Sequence, residues 1–220
     1  MKNIVIVGSS GHAKVIIDII EKENKYNIIG LIDAFRPIGD KVFDYSIIGE
    51  EKDIPSLIKE HSIYGCIIAI GDNWVRKIVS DKINDLNTSI KFITTIHPSA
   101  TLGHNVMIDE GSVVMANTMI GSDTKIGAFC IVNTNSSIDH DCKMGNYASI
   151  APGVNTGGNV LIEDYSVISI GANIIHNISI GKSAVIGAGS LVLKDVKEYT
   201  VEYGIPSVYI RTRKDGDKYL

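Results

Sequence analysis

The chain has 220 residues, 45% of them hydrophobic, with 21 Lys and Arg against 25 Asp and Glu and a net charge of −4. That is enough apolar material for one large core or two modest ones. The acidic balance argues against a nucleic-acid surface, which needs a basic face for phosphate contacts.

Met1, Lys2 and Asn3 lead into an apolar stretch that stops at Gly8, too short for the apolar part of a signal peptide. No run approaches the roughly 20 apolar residues of a membrane span, so no membrane insertion is expected. Cys66, Cys130 and Cys142 form no CxxC pair and are odd in number. Neither a disulfide framework nor a metal site is therefore expected, and the compartment expected is a reducing cytoplasm.

Residues 4–7 read as a strand, and residues 15–20 carry apolar side chains on one helical face. A second strand follows at 27–32 and ends at Asp33, a short helix at 54–61, a third strand at 66–70, a helix at 74–86 and a fourth strand at 92–96. This alternation predicts a small Rossmann-like parallel sheet with flanking helices, an α/β domain over residues 1–96. Gly8, Ser9, Ser10, Gly11 and His12 follow the first strand and open the first helix, where backbone N–H groups and the helix dipole can cradle a phosphate. The pattern is GxxGH without the GxGxxG spacing, which disfavours a dinucleotide cofactor.

The second half obeys a different rule. Stepping by six from Leu102 gives Ile108, Val114, Ile120, Ile126, Val132, Ile138, Met144, Ile150, Thr156, Ile162, Ile168, Ile174, Ile180, Ile186 and Val192. Fifteen of these sixteen are large and apolar, where 45% composition gives about seven by chance. Thr156 is the one break. Four residues after each position the side chain is nearly always small, and glycine often follows directly, as at Gly103, Gly121, Gly127, Gly145, Gly181 and Gly187, where it is expected to relieve a strained turn. A period of six excludes an amphipathic α-helix and suits a solenoid with one short strand per hexad, three hexads to a triangular coil and both registers pointing inward. This predicts a parallel β-helix over residues 97–196 and a tail over 197–220. The tail carries Arg211, Arg213, Lys214 and Lys218 against Asp215 and Asp217, a basic excess suited either to phosphates or to plain solvation.

His140, in the run from Ser136 to Cys142, stands two residues after an inward position and is expected at a prism corner facing outward. A neutral imidazole can take the proton that an amine sheds in acyl transfer, and the adjacent Asp141 can orient it and raise its basicity. Cys130 and Cys142 fall in the inward register, which disfavours cysteine nucleophiles. His104, His140 and His176 are 36 residues apart. That is two coils and roughly 9–10 Å, too far for Zn–N bonds of about 2.0–2.1 Å.

The hexad pattern [LIV]-G-x-x-[STAV]-x resembles that of the hexapeptide-repeat acyltransferases, a resemblance that implies left-handed coils, a homotrimer, and grooves between subunits where acceptor and coenzyme A meet. The stretch from Asn133 to Cys142 is similar to the sugar N-acetyltransferases of the bacillosamine pathway and their sialic acid O-acetyltransferase relatives, which carry Asn-Thr-Ser-Ser followed by Glu-His-(Asp/Glu)-Cys. The match implies that His140 is the base, Asp141 its partner, Asn133 a groove residue and Gly158 the oxyanion N–H donor. It implies coenzyme A contacts at Ser149, Gly158, Ile170, Gly187 and Ala188. Many relatives have a second histidine nine residues after the base; this chain has Ser149, which can still donate a hydrogen bond.

The same families open on Gly-x-x-Gly-His, which implies that Ser10, Gly11 and His12 meet the diphosphate of a nucleotide-linked sugar. Asp33 matches their acidic residue near the nucleobase. The segment Ile70-Gly71-Asp72-Asn73-Trp74-Val75-Arg76 resembles their Ile-Gly-Asn-Asn-x-x-Arg, implying substrate contacts at Gly71, Asn73 and Arg76. The implied activity is acetyl transfer from acetyl-CoA to the C4 amine of a UDP-linked dideoxy-amino sugar, with no metal. The alternatives are a GDP- or dTDP-linked acceptor, sialic acid O-acetylation, or a non-catalytic nucleotide-sugar binder.

Overall fold

The computed structural model describes residues 1–218, so the last two residues of the tail lie outside the described residues. The chain folds as two compact units, one ending at Ile96 and the other starting at His97.

The first unit is a sheet of six strands: β1 (Lys2–Val7), β2 (Tyr26–Ile32), β3 (Lys41–Val42), β4 (Tyr45–Gly49), β5 (Ile63–Ile68) and β6 (Lys91–Phe92). Three helices accompany it: α1 (Gly11–Glu23), α2 (Ile54–His61) and α3 (Asn73–Asp85). The sheet order is β3-β4-β2-β1-β5-β6, parallel throughout except for the β3–β4 hairpin. Ile4, Val5, Ile6 and Val7 of the central strand are at most 1% exposed, as a strand covered on both faces requires. The hairpin β3–β4 is absent from the sequence reading because its short, partly polar strands carry no clear alternation. The fourth predicted strand is two pieces: Lys91–Phe92 joins this sheet, whereas Thr95–Ile96 does not.

The chain leaves β1 toward β2 on one side and later returns to β5 on the other. The carboxyl end of β1 is therefore a topological switch point, where a parallel sheet leaves a crevice for a ligand.

The second unit is a left-handed parallel β-helix of two-residue strands. Partners along each face are 18 residues apart, as in Val113↔Ile131, Met119↔Ser137 and Lys125↔Lys143. Three hexads thus make one coil. The first face carries Val113–Val114 to Val185–Ile186, the second Thr101–Leu102 to Leu191–Val192, and the third Met107–Ile108 to Ser179–Ile180. From Ile120 to Val192 the apolar register is buried, and so is the small register from Ser112 to Val196. Buried small polar side chains stitch the coils together: Ser112, Thr124 and Ser166 donate to carbonyls 15 residues ahead at 2.7–2.8 Å.

Every sixth residue from Asn105 to Gly189 has a φ between 55° and 71°, so the left-handed turn is built into each hexad. It falls three residues after the apolar position, and the glycines that directly follow that position do not occupy it. Their reason is close approach: a Cβ at Gly121 would lie 2.5 Å from the His140 nitrogen, and one at Gly145 would lie 2.6 Å from the Asp164 nitrogen. At one corner the left-handed positions stack as an aromatic ladder, with Phe129, Tyr147 and Tyr165 ring centroids 5.0 and 5.3 Å apart.

The tail is an ordered hairpin. Thr200–Gly204 pairs in parallel with the first face at Val185↔Val201 and turns back into Ser207–Thr212. Arg213 is buried and donates to the Ser183 and Asp217 carbonyls at 2.9 and 2.6 Å. It therefore serves the fold, and the tail's solvent-facing basic excess is smaller than the sequence suggests.

Candidate active site

In the first unit, Gly8, Ser9, Ser10, Ile32, Asp33, Phe35, Ile70 and Val75 line a cleft of about 330 Å³ at the carboxyl ends of β1, β2 and β5. Gly8 has a φ of 102°, and a Cβ there would meet the Ala69 carbonyl at 3.0 Å, so the loop must pass over β5 without a side chain. Two helices begin beside the cleft and differ at their N-termini. Asp72 caps α3 by accepting the Val75 N–H at 2.9 Å, whereas Ser10 at the start of α1 makes no side-chain cap and no acid stands in the first turn. The positive end of α1 is open to an anion.

Asp33 is held from two sides, accepting the Ser9 hydroxyl at Oδ2 and the Phe35 N–H at Oδ1. Arg36, which the sequence reading did not single out, donates to the Ser9 carbonyl at 3.4 Å and brings a cation to the loop after β1.

His12 sits behind this loop. Burial, reinforced by the nearby Arg76 charge, lowers its pKa to about 4, so the ring is neutral at pH 7. Its enclosed Nε2 has no hydrogen-bond partner among the described residues. Arg76 is 1% exposed, and its guanidinium grips the Ile70 and Gly71 carbonyls at 2.9 and 3.0 Å and the Asn73 Oδ1 at 2.8 Å. It does not line the cleft. Arg76 and Asn73, both buried, fix the shape of the loop that carries Gly71, which is exposed.

In the second unit His140 stands at the edge between the second and third faces, with its side chain 61% exposed. Asp141 occupies the regular left-handed position of that turn, φ 59°, which aims its carboxylate back at the ring. Nδ1 lies 2.7 Å from the Asp141 Oδ2, so Nδ1–H donates to the carboxylate and Nε2 presents its lone pair outward. The hydrogen bond to Asp141, and next the charge of Asp139, raise the imidazole pKa above its ordinary 6.5. Asp139 is a further residue the sequence reading passed over; it accepts the His140 N–H at 2.8 Å.

One coil later Gly158 lies against the ring: a Cβ there would fall 2.6 Å from the imidazole Cε1 and 2.7 Å from Nε2. Only glycine fits. At three of the matching positions a side chain caps the N–H, Asn146 for Ala128, Asp164 for Asn146 and Glu163 for Lys182. The Gly158 N–H has no such partner among the described residues, and neither do those of Ser122 and His176 at the same position of their hexads.

The remaining sequence-predicted groups lie elsewhere on the prism. Asn133, Ile170, Gly187 and Ala188 fall in turns between the first and second faces, and Ser149 is in a first-face strand, 9% exposed. The full second face separates them from His140 within one chain. Ile170 is 57% exposed.

Comparison with known proteins fits this arrangement. The PglD N-terminal domain family matches residues 3–83, and the bacterial transferase hexapeptide family, with six repeats, matches residues 99–134. The chain therefore joins a PglD-type N-terminal domain to a run of bacterial transferase hexapeptide repeats. Among its relatives is the UDP-N-acetylbacillosamine N-acetyltransferase of Bacillus subtilis, 33% identical over 117 residues, which are 53% of this chain and about half, 52%, of that protein.

Among solved structures, PerB from Caulobacter crescentus in complex with CoA and GDP-perosamine superposes with a TM-score of 0.88. It is 29% identical, with 96% of this chain and 98% of that one covered. The acetyltransferase domain of PglB from Neisseria gonorrhoeae in complex with acetyl coenzyme A gives 0.86 at 27% identity, covering 95% and 99%. These two structures share the fold over almost their whole length.

Proposed function

We propose that this chain transfers an acetyl group from acetyl-CoA to the amino group, at C4, of a nucleotide-linked dideoxy-amino sugar destined for a surface glycan, and that it does so as a cytoplasmic homotrimer. The observation that carries this reading is the outward imidazole bonded to Asp141 with the open Gly158 N–H against its ring.

The amine nitrogen attacks the thioester carbonyl carbon while His140 Nε2 takes the proton the nitrogen sheds. Asp141 holds the tautomer and stabilises the imidazolium. The carbonyl oxygen becomes an oxyanion facing the Gly158 N–H. The C–S bond then breaks, and the imidazolium returns the proton to the departing thiolate. In the first unit the open end of α1, with Ser10 and Gly11, receives the diphosphate, His12 backs the loop, and Asp33 faces the nucleobase. Arg76 and Asn73 act from behind, holding the shape of the loop that carries Gly71.

The placement of the site residues supports assembly of more than one copy, and a trimer is the assembly the resemblance implies. Asn133, Ser149, Ile170, Gly187 and Ala188 lie on a different edge from His140, so in this reading a second copy supplies them to the coenzyme A channel.

UDP is the first choice of nucleotide, in line with the relative from Bacillus subtilis, and GDP the next, in line with PerB. A thiol-release assay across UDP-, GDP- and dTDP-linked 4-amino sugars, with sialic acid alongside, tests the reading. Free thiol with an amino sugar supports it. Thiol with sialic acid alone would replace it with O-acetylation, and none with any acceptor would leave a nucleotide-sugar binder.

A further inference from the structure

Thr156 is the one residue that breaks the inward apolar register, and it is 6% exposed beside the proposed oxyanion donor. The second face runs as a regular ladder on either side of it: Met119 and Ile120 pair with Ser137 and Ile138, and Asn155 and Thr156 pair with Asn173 and Ile174. Between these, only Ser137↔Asn155 pairs, and the expected Ile138↔Thr156 partnership is missing.

The hydrogen bonds show what replaces it. Gly103, Gly121, Gly157 and Ile175 occupy the position just after each second-face strand, and each donates its N–H to the carbonyl 17 residues ahead at 2.7–3.2 Å. Asp139 holds the same position but donates to the Thr156 hydroxyl at 3.2 Å. A side chain has taken the place of a main-chain acceptor. The substitution falls between the two segments that make the chemistry, 139–141 with the base and 156–158 with the N–H donor.

We infer that Thr156 is a positioning residue for acetyl transfer: its hydroxyl occupies the Asp139 N–H, keeps the two coils from closing into the regular ladder, and so sets the gap between the His140 ring and the Gly158 N–H. Valine has the same outline as threonine without the acceptor. In that variant the only acceptor left to the Asp139 N–H is the carbonyl of residue 156, as in the neighbouring coils. Closing that bond draws residues 156–158 toward His140, where the Gly158 position already has no space to spare. The inward register is apolar, so valine belongs there as packing.

This inference rests on the transferase reading, and wild-type turnover checks that reading separately: a wild type inert toward every acceptor fails the reading, while an active wild type lets the inference be judged. Full-length Thr156→Ser, Thr156→Ala and Thr156→Val are compared for kcat, KM for the nucleotide sugar and melting temperature. The expected result is that Ser stays within about threefold of wild type while Ala and Val lose about tenfold or more in kcat, the scale that a sub-ångström to ångström displacement produces. KM for the nucleotide sugar should stay within about twofold, because that ligand is assigned to the other unit. Ser and Ala differ by the hydroxyl alone, so they decide the matter even if Val is poorly tolerated. Equal rates for Ser and Ala, full activity in Val, or rates that merely track melting temperature across the series would overturn the inference.

Discussion

In the solenoid a residue's place in the six-residue repeat decides whether it faces inward, takes the left-handed turn or stands at an edge. In the α/β unit no such rule exists, and a residue's role depends on how individual loops fold back. His140, Asp141 and Gly158 illustrate the first case: the repeat alone sets the base at a corner, its carboxylate at the turn and the glycine one coil later against the ring. Arg76 illustrates the second. Its motif suggested a hand for the substrate, yet the guanidinium turns inward to hold the loop at Ile70 and Gly71. Periodic structure makes chemistry readable by counting, while aperiodic structure makes it depend on contacts that the sequence does not index.

Substitutions can break this contrast. The largest effect is expected for His140→Ala, which removes the base at an edge without touching the core. The rate constant should fall by about 10²- to 10⁴-fold with an unchanged melting curve; a loss of only a few-fold would mean the base is another group. Gly158→Ala should cost on the order of 100-fold in kcat, since its methyl would occupy the space of the imidazole. Steady-state kinetics beside circular dichroism would check that the coil itself survives.

Asp141→Asn should cost about tenfold and leave a signature in pH. The base works unprotonated, so the rate rises with pH through the imidazole pKa, which Asp141 holds above 6.5. Removing the carboxylate should therefore move the midpoint of the kcat/KM profile to lower pH, and an unmoved midpoint would deny the hydrogen bond its role.

The α/β unit should answer differently. Arg76→Met strips the loop carbonyls of their donor and should cost about 2–4 kcal/mol of stability by urea melting. It should also raise KM for the nucleotide sugar, with kcat nearly intact. A smaller effect is expected from His12. Its pKa is about 4 in the folded unit against 6.5 unfolded, so the unfolded chain binds more protons in that window and stability falls as pH drops from about 6.5 toward 4. His12→Asn should flatten that dependence.

Much of the fold was legible in the sequence. The hexads show through because each coil repeats the same burial demand, and the main strands and helices of the α/β unit show through because they are long and apolar. What was hidden has physical causes. The β3–β4 hairpin is too short to display a period, and the pairing of Arg213 with Ser183 and Asp217 joins residues whose proximity only the folded tail creates.

The glycines after each apolar position were legible as necessary but for the wrong reason, since a sequence shows the absence of a side chain and not whether dihedral or distance demands it. Thr156 stood out as an irregularity. That its hydroxyl replaces a carbonyl in the ladder could be seen only in the folded coil.

Mixing two inactive variants tests most directly whether two copies build the reaction chamber. His140→Ala lacks the base on one edge, and Ile170→Glu places a charge on the exposed apolar position of the other. If the chamber forms between copies, co-assembled oligomers should regain activity at about one site in four under random mixing of equal amounts. A mixture no more active than its separate parts, or a fully active monomer by light scattering, would contradict the shared chamber.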